Sequence, residues 1–142
     1  EAIAELRYWL ETVGATRALE RIDDVVVDDL EALLARMEAN NGHLSAWVVA
    51  DTDFHAALVR AAGNSYLATL FESVHAAVTN VTYAAWVARD RAPRWFERDF
   101  AGQMELHREI LAALRERDET RLTRSIDVHH RALIDHLQQR DD

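Results

Sequence analysis

Cysteine is absent from the 142 residues, proline occurs once and glycine four times. Without cysteine there is neither a disulfide framework nor a thiolate metal site. So few breakers favour long helices over strands and turns. Positive charge is scarce too: 16 Lys and Arg stand against 25 Asp and Glu, for a formal net charge of -9. Gripping a nucleic-acid backbone or an anionic membrane takes clustered cations, so the balance argues against both for this stretch. No apolar run approaches the ~20 residues of a membrane span. The opening EAIAELRYWLE is charged and helical in pattern, unlike a secretory leader. A cytoplasmic location is the simplest expectation.

Hydrophobic residues make up 49% of the chain, enough for a real core in one domain spanning residues 1–142. Apolar periodicity predicts an all-α, antiparallel bundle of six or seven helices. The first covers Glu1 to Arg21, with Ile3, Leu6, Leu10 and Val13 on one face. The second runs from Val27 to Asn40, its stripe Val27, Leu30, Leu34 and Met37 ending at Asn40-Asn41-Gly42. The third spans Leu44 to Ala62 and stops at Gly63-Asn64. The fourth spans Ser65 to Arg89, with Leu67, Phe71, Val74, Val78 and Val81 inward. Pro93 precedes a fifth from Arg94 to Arg117, and Asp118 is placed to cap a sixth that runs to Gln139.

Three of these stripes contain ionisable residues. Val48, Asp51, His55, Leu58 and Ala62 share a face of the third helix. Phe100, Met104, His107, Leu111 and Leu114 do so in the fifth, and Leu122, Ile126, His129, Leu133 and Leu137 in the sixth. An unpaired carboxylate facing a core costs several kcal/mol, and a buried imidazole still needs partners for two nitrogens. An economical solution is that these residues meet. One Asp and three His suit a divalent transition metal: zinc first, with nickel, manganese and iron also suited. Asp51 and His55, four apart, project from one side of a helix and can hold one ion together. A lone core histidine is more often simply hydrogen-bonded, and an Asp-x-x-x-His pair can be a plain side-chain contact. His130 joins the last stripe as readily as His129, so spacing does not choose between them.

Several segments resemble a known family. DTDFHAALVRAAGN resembles the D-x-x-F-H-x-x-L…A-x-x-N signature of the FadR C-terminal (FCD) domain of GntR-type bacterial transcription regulators. LHREILAALRERD resembles its E-H-x-x-I-L-x-A-I-x-x-x-D segment, Asp118 to Leu133 the segment ending M-x-x-H-L, and ELRYWLETVGATRAL the opening E-x-R-x-x-L-E helix. The resemblance covers nearly the whole chain in the family's order. Leu106, Ile126 and His130 depart from it, but none removes a ligand.

Carried over residue by residue, it implies Asp51, His55, His107 and His129 as metal ligands, favouring His129 over His130. It implies a sensor, not an enzyme. A small carboxylate or sugar-acid effector enters the helical domain and alters DNA binding by an N-terminal winged helix, which is absent from this chain. It also implies a homodimer without direct nucleic-acid contact by this domain. Arg7, on a line with Leu10, Gly14 and Ala18, could pair with an effector carboxylate, and His75, Thr79 and Thr82 could line the cavity. Trp9, Trp47, Trp86, Trp95 and Tyr8 read as core or dimer interface. Two other readings compete: a metalloenzyme on a helical bundle, which would lack the Glu-x-x-His and HExxH motifs, and a metal-free helical interaction module.

Overall fold

Asp23 and Asn64 start two helices by the same device: each side-chain oxygen accepts the backbone N–H three residues on, at 3.0 Å. Asp118 does this for a third, accepting from Arg121 N at 2.9 Å. The computed structural model describes residues 2–138. These form α1 (Ala2–Ala18), α2 (Asp24–Ala39), α3 (Leu44–Arg60), α4 (Ser65–Val87), α5 (Arg94–Arg98), α6 (Phe100–Arg115) and α7 (Glu119–Gln138). There is no strand among the described residues. The expected helix ends at Glu1 and Gln139 lie outside those residues. Gly42 and Gly63 follow α2 and α3 at φ +83° and +74°, the left-handed conformation that ends a helix.

α3 lies at the centre, packed against α1, α2 and α4, while α7 packs on α1 and α6, and α6 on α2. The core formed between them contains Trp47, Phe54, Leu58, Met104, Ile110, Leu114, Leu122 and Ile126. Two expectations need correction. The fifth helix breaks at Asp99, whose φ of -128° and ψ of 33° leave the helical region, giving a seventh element. And α1 faces the other way. Ile3, Leu6 and Val13 are exposed, whereas Ala4, Arg7, Glu11, Gly14, Ala15 and Ala18 are buried.

The reason is close approach. A Cβ on Gly14 would stand 2.9 Å from Val59 Cγ1 and 3.2 Å from Val59 Cα, so at this crossing α1 can approach α3 only with no side chain in between. On α4, Phe71, Val74 and Val78 point inward as expected, but Val81 is exposed, and Tyr83 is buried instead.

Candidate metal centre

The side chains of Asp51, His55, His107 and His129 converge from α3, α6 and α7, all four buried, with one potential ligand atom from each within 4.8 Å of the others. His107 Nε2 lies 2.7 Å from Asp51 Oδ1 and 3.1 Å from His55 Nε2, and His55 Nε2 lies 3.3 Å from Asp51 Oδ1.

The outer nitrogens explain why these atoms face one another. His107 Nδ1–H donates to the Gln103 carbonyl at 2.6 Å. His55 Nδ1–H donates to the Glu11 carboxylate in a very short contact. With Nδ1 carrying the hydrogen, each neutral ring presents a lone pair at Nε2. With both rings neutral, two lone pairs and a carboxylate oxygen point at one spot, where a metal ion or a proton relieves their repulsion. This is the usual support for a metal-binding histidine, its far nitrogen held by a carbonyl or carboxylate. The His129 ring completes the cluster, with centroids 4.7 Å from His55 and 4.8 Å from His107. Its Nδ1 is buried without a hydrogen-bond partner among the described residues.

The separations also fit. At bond lengths of about 2.1 Å, adjacent ligands stand about 3.0 Å apart on an octahedron and about 3.4 Å apart on a tetrahedron. The observed 2.7, 3.1 and 3.3 Å scatter about the octahedral edge. Four protein ligands on such an ion leave room for further oxygens.

The electrostatics draw positive charge, from a proton or a metal ion, to the same spot. Burial opposes charge on His55, but Glu11 and Asp51 outweigh it and raise its pKa above the ordinary 6.5. Burial likewise works against the Asp51 carboxylate, yet His55 and His107 hold it well below the usual range. His129 is pushed strongly down, first by burial and then by the neighbouring His55 and His107, so it stays neutral. His75 is pushed down to about 3, first by burial and then by Arg7.

The second carboxylate of the site, Glu11, was not among the residues singled out from sequence. Its Oε2 accepts from Arg7 Nη1 at 2.9 Å, and Arg7 Nε–H donates to His75 Nδ1 at 2.8 Å. His75 Nε2 reaches Thr52 Oγ1 at 3.2 Å. Two sequence signals could have found Glu11: it closes the E-x-R-x-x-L-E pattern of ELRYWLE, and it stands four residues after Arg7 on the small-residue line of α1.

Beside the cluster is a small cavity of about 30 Å³ that opens on solvent. Asp51 and His129 form part of its wall, and so do Arg7, His75, Thr79 and Thr82, the four residues expected there. Trp47 and Gln103 line it as well. Trp47 is 1% exposed, and its Nε1–H has no hydrogen-bond partner among the described residues. His130, the rival of His129, instead stacks on Tyr8 with centroids 4.6 Å apart.

A helical bundle thus brings a buried Asp and three His next to a small cavity, a candidate site for a metal and a ligand. The chain belongs to the FCD domain family, whose profile matches residues 2–132, and this is the regulatory domain of GntR-type regulators. Such domains bind small-molecule effectors and often dimerise. Two solved structures share the fold. E. coli McbR/YncC superposes over 96% of this chain with a TM-score of 0.82 at 18% identity. Streptococcus agalactiae GntR does so over 93% with a TM-score of 0.72 at 22% identity. The chain spans 66% and 56% of those longer chains. No curated protein sequence matches it. No helix among the described residues is long and apolar enough to cross a membrane.

Proposed function

We propose that this chain senses a small organic acid through a divalent metal held by Asp51, His55, His107 and His129. The observation that carries the reading is the lone-pair convergence of His55 and His107 Nε2 with Asp51 Oδ1, each ring braced from behind. Zinc is the first expectation, and nickel, manganese or iron suit the same donors. The ion supplies a fixed positive charge in a low-dielectric wall, which attracts an anion more strongly than water would allow.

The protein's own groups do the selecting. Trp47 Nε1–H, buried without a hydrogen-bond partner among the described residues, is a donor that an effector oxygen can satisfy. Thr79, Thr82 and Gln103 offer neutral hydrogen-bonding groups on the same wall. A carboxylate with an adjacent hydroxyl would match these features, its charge suiting a cation at the cluster and its hydroxyl the neutral groups of the wall. DNA binding in this reading belongs to a winged-helix domain paired with the sensor, in keeping with the net charge of -9 on the sensor itself. The working unit is a homodimer, which sedimentation equilibrium checks.

Calorimetry with hydroxy acids and sugar acids, on metal-loaded and metal-stripped protein, tests the reading. Binding that requires the metal supports it, and binding indifferent to metal removal overturns it. Conversion of the acid to product would transfer the case to a metalloenzyme.

A further inference from the structure

Glu11 and Arg7 form a buried ion pair, 1% and 2% exposed; Glu11 touches His55 of the cluster and Arg7 lines the cavity. Both partners have second tasks. Glu11 Oε1 takes the His55 Nδ1 hydrogen, while Arg7 Nε–H is given to His75 and the Arg7 guanidinium lies 5.6 Å from the centroid of the Phe71 ring. Such a pair is strongly destabilised when one member is removed, because the other charge is left buried alone.

We infer that Glu11 sets the charge of the cavity: it positions His55 for the metal and cancels Arg7, which matches the pocket to a monocarboxylate and against a dicarboxylate. This rests on the proposed docking of an acid at the metal. The charges sum as follows. A divalent ion with the Asp51 carboxylate leaves one positive charge. Arg7 adds one and Glu11 removes it. His75 is neutral because its Nδ1 accepts from Arg7. Besides Arg7 and Asp51, the cavity wall holds no carboxylate, arginine or lysine among the described residues, and its outer histidine, His136, is stacked on Trp95. One surplus charge is balanced by one carboxylate. A second carboxylate would enter a partly desolvated pocket with no free charge to meet it, since Arg7 Nε and Nη1 are already engaged.

The experiment uses zinc-loaded protein and two matched pairs of acids, 2,4-dihydroxybutyrate against malate and gluconate against glucarate. Within each pair the 2-hydroxycarboxylate end is the same and the far end is hydroxymethyl or carboxylate. Calorimetry on wild type is expected to favour the monoacid of the bound pair by at least about tenfold. Glu11→Gln frees the Arg7 charge, so the preference should vanish or reverse. The double variant Arg7→Gln with Glu11→Gln restores the charge sum, so the monoacid preference should return. It also guards against a single variant that fails to fold.

Zinc affinity, read by chelator competition without any acid, is expected to fall about 10–100-fold in both variants, because His55 loses its carboxylate brace. An unchanged zinc affinity overturns the positioning role. A wild type that binds the diacid as well as the monoacid overturns the charge match while leaving the metal docking intact. If zinc-loaded wild type binds none of the four, the docking falls and this inference with it.

Discussion

Removing the metal should lower the melting temperature of wild type but not of a variant that cannot hold it. The proposed ligands come from α3, α6 and α7, so a bound ion ties together helices that are far apart in sequence. Metal binds the folded site and not a preformed site in the unfolded chain, so its free energy is folding free energy. With free metal at about a hundred times its dissociation constant, the gain is about 2.7 kcal/mol. For a chain near this size, 1 kcal/mol moves the midpoint by roughly 2–4 °C. A strong chelator should therefore lower the midpoint by roughly 5–11 °C. The stripped protein should remain folded, because the core around Trp47, Phe54, Ile110 and Leu122 does not depend on the ion. Metal loss also leaves room for a proton on His55, which Glu11 and Asp51 favour against the burial that opposes it.

His107→Ala removes a ligand and leaves a cavity in the core, so its own midpoint is expected to be lower from the start. The informative quantity is the chelator response of each protein, not its absolute midpoint. Scanning calorimetry on wild type and His107→Ala, with metal content measured beforehand, gives that difference directly. Equal chelator shifts in the two proteins would refute the reasoning, as would no shift in a wild type shown to contain metal.

Acid should destabilise the fold from about pH 6.5 downward: His75, held near 3, and His129, also held low, stay neutral in the fold, while the unfolded chain protonates both near 6.5. Stability from these two is thus present above 6.5 and lost as pH falls, and urea midpoints across pH 4–8 read it. His55 has the opposite sign: in metal-stripped protein its contribution is full below 6.5 and fades as pH rises through its raised folded value. His55→Gln should abolish that alkaline fade. Gly14→Ala forces a Cβ to 2.9 Å from Val59 Cγ1. Overpacking of about 1–3 kcal/mol should outweigh a helix-propensity gain of at most about 1 kcal/mol, lowering the midpoint by a few degrees.

Local chemistry in the chain was enough to specify an all-helical bundle, the stops at Gly42 and Gly63, the cap at Asp118 and the polar residues inside apolar stripes. Each follows from spacing or from a residue's own backbone preference, so neighbours along the chain carry the information. The break at Asp99 and the orientation of α1 were not legible this way. By size of side chain the face of Ile3, Leu6 and Val13 looks inward, yet it faces solvent. The choice was made by α3, which leaves no room for a side chain at Gly14 next to Val59, and by partners for Arg7 and Glu11 that lie on α4 and α3. The same holds for His129 and His130. Both fit one stripe, but a helix buries a sector set by its neighbours, and α7 turns His129 into the cluster while His130 rests on Tyr8. A helix's period can be read from its own residues, whereas its rotation about its axis is settled only by what packs against it.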